Sequence, residues 1–148
     1  MSTRPPVHAD ADQRVDVHQH VWTAPLLDAL SRRDRLPFVR HTDGLAVLHC
    51  AGEQAWAIEL KAERPERRVE LLDADGLDHA LVALSSPIGI ETLPREESAE
   101  LIDAHLRGID DLGDRFTAWG PVALDQPDPD DVDALLERGC AGISVPAG

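Results

Sequence analysis

The chain has 148 residues, 43% of them hydrophobic, and a formal net charge of −14 at pH 7. This length allows one domain with a substantial core. The acidic balance argues against nucleic acid and anionic membranes as partners, because both require a basic patch. Two cysteines are too few for a disulfide framework and fit a reducing, cytoplasmic location. The sequence also predicts neither a signal peptide nor a segment that crosses a bilayer.

The first predicted strand follows a polar N-terminal segment. Residues 1–13 are predicted to form a flexible tail. Residues 14–22 alternate between valine and polar or charged side chains over most of their length, which predicts a strand. That alternation would place Asp16, His18, His20 and Trp22 on one face of the strand.

The remaining elements follow from apolar periodicity, turn residues and helix caps. In the first half we predict a helix over 23–33, a hairpin over 38–50 around Asp43-Gly44, a strand or loop over 51–60, and a helix over 65–74. In the second half we predict strands over 80–84, 116–124 and 141–145, and helices over 94–112 and 128–138. Alternating helices and apolar strands predict a parallel α/β sheet.

The sharpest chemical signal is His18-Gln19-His20. Two histidines at positions i and i+2 of a strand put both imidazoles on one face, within reach of one metal ion. Imidazole suits zinc and other late divalent ions. The alternative is a strand whose two histidines are satisfied by hydrogen bonds. The pair ends the first predicted strand, which is where parallel α/β folds place their sites.

The segment around this pair, Asp16-Val17-His18-Gln19-His20-Val21-Trp22, resembles the first-strand signature of the amidohydrolase superfamily. The resemblance is to the amidohydrolase-related branch, which includes lactonase-like hydrolases and carboxymuconate-semialdehyde-type decarboxylases. Further stretches that resemble this branch are residues 72–84, 85–91, 118–119 and 142–147.

The resemblance implies a (β/α)₈ barrel with a metal site at the carboxyl ends of its strands. Since such a barrel needs about 250 residues, residues 14–148 are expected to form its N-terminal half, strands 1–4, with a hairpin-like insertion after the first helix. His18 and His20 would be the first two metal ligands, most simply of zinc. The later histidines and the catalytic aspartate of the family have no counterpart here, so the catalytic residue stays unknown.

Four further residues are candidates for the pocket. Asp16 would orient a metal ligand, or else pair as a buried acid with an arginine or a backbone group. Trp22 would wall the pocket or pack in the core. Ser85 and Ser86 follow the second strand of the expected barrel and would touch substrate, although Ser-Ser-Pro is also typical of a turn.

The remaining histidines and both cysteines carry no spacing signal. His41 and His49 flank the predicted hairpin turn and are expected at the surface. His8, His79 and His105 are expected on the surface or in loops. Cys50 and Cys140 are expected to be small buried apolar residues.

Three functional hypotheses follow from the resemblance. The first is a metal-dependent hydrolase that uses metal-activated water on an amide, ester or lactone of a small-molecule substrate. The second is a metal-dependent decarboxylase of the same family. The third is an inactive fragment, because the exposed strand edges of a half barrel would favour aggregation, loose packing or a homodimer.

Overall fold

The computed structural model describes residues 12–147. The predicted tail over 1–13 and His8 therefore lie outside the described residues, apart from the exposed Asp12 and Gln13. Four α-helices are present in the described part: α1 (Ala24–Ser31), α2 (Pro65–Ala74), α3 (Arg95–Asp111) and α4 (Pro129–Arg138). The strands are β1 (Val15–Gln19), β2 (Phe38–Thr42), β3 (Leu45–His49), β4 (Trp56–Glu59), β5 (His79–Val82), β6 (Phe116–Ala118), β7 (Gly120–Pro121) and β8 (Ile143–Ser144).

The strands form three separate sheets, and this corrects the predicted fold class. Within residues 12–147, β1, β5 and β6 form a parallel sheet, β2, β3 and β4 form an antiparallel one, and β7 pairs with β8. The N-terminal half of a (β/α)₈ barrel would instead place all four predicted parallel strands in one sheet. The expectation of a half barrel is therefore wrong. Residues 12–147 form a small α/β domain with four helices and mixed parallel and antiparallel sheets.

The reason lies partly in the strand predicted over residues 116–124. This run breaks at Trp119, whose backbone N–H donates to the Val82 carbonyl at 2.9 Å while the next residue begins β7. The indole Nε1–H of Trp119 donates to the Val17 carbonyl at 2.8 Å. The side chain thus spans the parallel sheet at the point where the strand direction changes.

The antiparallel sheet confirms the predicted hairpin and adds a third strand. Asp43 and Gly44 have φ values of 46° and 80°, as both central residues of a tight hairpin turn require. Their conformation sets the pairing of Thr42 with Leu45, which continues to Phe38 with His49. β4 lies within the segment predicted as strand or loop, and it pairs with the other side of β3.

A register shift in β1 changes which of its side chains share a face. Asp16 pairs with Ala80 and Gln19 pairs with Val82, so three steps along β1 match two steps along β5. The extra residue disrupts the predicted alternation. Val17 becomes 63% exposed, and both His18 and His20 are exposed.

The core lies between the parallel sheet, α1 and α3. Leu26, Leu27 and Leu30 bury one face of α1. α3 contributes Leu101 and Ile109, each 1% exposed. The two helices contact so closely that a Cβ at Gly108 would collide with Thr23 Oγ1. Within residues 12–147, none of the helices is both long and apolar enough to cross a membrane.

Candidate metal site

The two histidines of the sequence motif meet at the carboxyl end of β1. Their Nε2 atoms are 3.2 Å apart, and their rings are nearly perpendicular at 86°. Two imidazole nitrogens on one tetrahedral zinc ion, each about 2.0–2.1 Å from the metal, would be about 3.3 Å apart. The observed spacing therefore fits a shared ion. It also fits one N–H···N hydrogen bond between the rings, the alternative left open by the sequence.

The backbone directly after β5 sets the tautomer of His20. His20 Nδ1 lies 2.9 Å from the Ala83 carbonyl oxygen. Since a carbonyl only accepts, Nδ1 carries the proton and donates it, which leaves a lone pair on Nε2. This arrangement is the usual orientation of a metal-binding histidine, with one nitrogen held by the protein and the other facing the ion.

Asp16 supports the pair through the main chain rather than through an imidazole. Its carboxylate accepts from the His18 backbone N–H at 3.1 Å and from Gln19 Nε2 at 3.0 Å. Both bonds lie across the register shift of β1, so they fix the irregular backbone that presents His18. Asp16 therefore contacts a backbone N–H and a side-chain amide next to His18, and its bonds are not to an imidazole.

Helix α2 and the segment just before it contribute two residues that the sequence analysis did not identify. Arg68 Nη2 donates to Gln19 Oε1 at 2.8 Å, and Glu63, just before α2, accepts from the Trp22 backbone N–H at 2.9 Å. Arg68 and Glu63 are also 3.9 Å apart as an ion pair, with side chains 14% and 15% exposed. They hold the chain on both sides of the histidine pair. No spacing motif joins these residues, because more than 40 positions separate them from β1.

The other pocket candidates divide into two groups. Trp22 and Ser85 line a narrow cavity beside His20, so both lie at the site. The Trp22 indole is half-buried and makes an edge contact with Trp56, with ring centroids 5.6 Å apart. Ser86 does not line that cavity. It begins a single 3₁₀ turn, and its carbonyl accepts from the Gly89 N–H at 2.9 Å, as expected for a Ser-Ser-Pro turn.

The expected position of His105 is wrong. His105 lies on the inner face of α3, is 1% exposed, and lines the narrow cavity with His20. Neither of its ring nitrogens has a hydrogen-bond partner in the described structure. Burial disfavours the charged ring and lowers its pKa to about 4, and nearby His20 lowers it further. His105 lies four residues from both Leu101 and Ile109, so the helical period of these apolar residues already indicated that it is buried.

Two other histidines also differ from the surface expectation. His79 is half-buried in β5, with Nε2 2.9 Å from Thr117 Oγ1. His49 is half-buried and stacks on Phe38 at 4.6 Å between centroids, whereas His41 is exposed as expected. Cys50 is buried and Cys140 half-buried, and both are free thiols.

The number of ligands limits what the site can do by itself. Across residues 12–147, no three or more His, Cys, Asp or Glu side chains converge as a metal-binding group. Catalytic zinc sites typically use three protein ligands and an open position. Within the described residues the pair would therefore offer an ion two protein ligands, fewer than the three of a typical catalytic site.

Comparisons with known proteins show a shared fold alone. No family model matches the chain. No curated protein matches it either. Among solved structures, the chain is similar to the IDCase of Metarhizium anisopliae in its apo form, with a TM-score of 0.64 and 14% sequence identity. The match covers 90% of this chain and 42% of that one, so the chain spans less than half the length of that protein. This similarity does not restore the half-barrel prediction, which the three sheets of the described residues contradict.

Proposed function

We propose that the chain carries the first two ligands of a divalent metal site in a metal-dependent hydrolase of the amidohydrolase-related type. The observation that supports this most is the 3.2 Å separation of the His18 and His20 Nε2 atoms. The hydrogen bond from His20 Nδ1 to Ala83 supports it further, because it directs the Nε2 lone pair toward His18. The resemblance of the β1 segment to the first-strand signature of that family points to the same chemistry.

The residues of this chain would hold and orient the ion. When bound, a divalent ion such as zinc polarises a carbonyl and makes a bound water more acidic. His18 and His20 would hold it through Nε2, while the bonds of Asp16 to the His18 N–H and to Gln19 fix the backbone at His18. Trp22 lies beside His20, where the two side chains line the same narrow space, and would shield one side of the histidine pair from water.

The proposal includes a cytoplasmic location and a small-molecule substrate. Both cysteines are free thiols in the structure, which agrees with a reducing compartment. The net charge of −14 disfavours binding to nucleic acid, so the proposal includes no nucleic-acid partner.

Metal titration tests the site separately from turnover. Cobalt(II) is added to the metal-free protein, and its visible absorption and binding stoichiometry are measured. We expect one ion per chain, lost in His18→Ala and in His20→Ala. His41→Ala is the matched control, because His41 is an exposed histidine distant in sequence from the pair. Binding that survives both substitutions in the pair would contradict the proposed site.

Turnover then distinguishes the functional hypotheses. The zinc-loaded protein is assayed with a panel of lactones, esters and amides, and with carboxylated aromatic acids. Hydrolysis that is lost in His20→Ala supports the proposed function. Release of carbon dioxide without hydrolysis would replace it with a decarboxylase. Metal binding without any turnover would leave an inactive fragment.

A further inference from the structure

A second cavity lies beside Trp22, outside the histidine pair. It has a volume of about 350 Å³, and Trp22 lines both this cavity and the narrow one at His20. It opens between the start of α1, the end of α3 and the segment that joins β4 to α2. Its apolar wall is formed by Trp22, Pro25, Leu27, Leu60, Pro65 and Leu112. The volume is within the range of small-molecule sites, about 300–1,000 Å³.

Two exposed carboxylates line this cavity. Asp28 on α1 and Asp111 at the end of α3 both line it and are exposed. Within the described chain, neither side chain has a hydrogen bond or an ion pair. The third acid, Glu63, is already engaged by Arg68 and by the Trp22 N–H. The unengaged acids of the cavity are thus Asp28 and Asp111.

The helix that ends at the cavity favours the same sign of ligand charge. Asp111 is the last residue of α3, a helix of 17 residues. The carbonyl end of a helix carries partial negative charge and attracts cations. Arg64 is the arginine of the lining, so it offsets one of the two free carboxylates. An anion would face two carboxylates and the carbonyl end of α3, opposed by Arg64, the His41 ring and the start of α1.

We propose that this cavity binds a small organic cation, namely a primary ammonium joined to an apolar or aromatic body. The ammonium group binds between Asp28 and Asp111. The apolar body packs on Leu27 and on the Trp22 indole, whose face also attracts a cation. The edge contact of Trp22 with Trp56 holds that indole in place. This inference is independent of the metal site.

Three ligands of one shape but different charge test the proposal. Phenethylammonium, 2-phenylethanol and 3-phenylpropionate are titrated into the whole chain in the presence of a chelator, and binding is measured by calorimetry and saturation-transfer NMR. We expect phenethylammonium to bind most tightly. Asp28→Asn and Asp111→Asn should each weaken it about two- to fivefold, as exposed charge pairs do. Asp133→Asn, an exposed acid on α4 outside the cavity, should change nothing.

Other outcomes overturn the proposal. Equal binding of the alcohol and the ammonium, unaffected by the Asp28 and Asp111 substitutions, would show an apolar cavity without charge selectivity. Tighter binding of 3-phenylpropionate would show an anion site at Arg64. Failure of all three ligands to bind would also refute the proposal. Unchanged melting temperatures of the Asn variants exclude misfolding, and unchanged cobalt binding at His18 and His20 keeps this test separate from the proposed function.

Discussion

The buried ring of His105 predicts a specific loss of stability in weak acid. Its pKa is lowered from 6.5 to about 4, chiefly because burial disfavours the imidazolium. Between these two values the unfolded chain binds the proton and the folded chain does not. The free energy of unfolding must therefore fall as the pH drops below 6.5. Linkage gives a loss of about 2 kcal/mol between pH 7 and pH 5 from this one group.

Urea unfolding of the wild type and of His105→Leu, each at pH 7 and pH 5 with a chelator present, measures this loss. Other titrating groups act on both proteins, so their contribution cancels in the comparison. We expect the wild type to lose about 2 kcal/mol more than the variant on going from pH 7 to pH 5. His105→Gln provides a second non-titrating variant of different polarity. A pH dependence that is the same in all three proteins would refute the burial argument.

Three further predictions concern packing, burial and capping. Gly108→Ala should destabilise the protein by about 1–3 kcal/mol in urea unfolding, because its Cβ would collide with both Oγ1 and Cβ of Thr23, and Thr23→Gly in the same chain, which removes both atoms, should restore part of the loss. Burial raises the pKa of Glu91, so Glu91→Gln should increase stability at pH 7 more than at pH 4, and an equal effect at both would contradict this. Asp128 caps α4 by accepting from the Asp130 N–H at 3.0 Å. Asp128→Ala should therefore lower the free energy of unfolding by about 1 kcal/mol, measured by thermal unfolding.

Elements whose determinants are local followed from the sequence. Asp43-Gly44 supplies both residues of a hairpin turn with positive φ, and the hairpin forms there. Asp128 begins α4 as predicted, and Gly139, with φ of 99°, ends it. In each case neighbouring residues alone determine the backbone conformation.

The arrangement of the strands could not be predicted in the same way. An apolar run indicates a strand but not the sheet to which it belongs. The run over 116–124 divides at Trp119 into β6 and β7, which belong to different sheets. At this point the Trp119 indole donates to the Val17 carbonyl, and the apolar run itself gives no sign of that long-range contact. This is why the half-barrel prediction failed.

The sequence predicted only part of the candidate site. The spacing of His18 and His20 predicted that their imidazoles would meet, and the structure brings them together. The contacts of Arg68 and Glu63 were invisible, because tertiary structure alone brings α2 to the end of β1. His105 was misassigned, although its helical spacing from apolar neighbours indicated burial.

Zinc titration followed by ¹⁵N NMR of labelled histidines tests the central claim most directly. We expect metal-free His20 to be protonated at Nδ1. We further expect zinc to shift the Nε2 resonances of His18 and His20 together, at one equivalent, and to leave those of His41 and His49 unchanged. Zinc bound through Nδ1 of either residue, or a shift confined to other histidines, would contradict the claim that this pair forms the metal site.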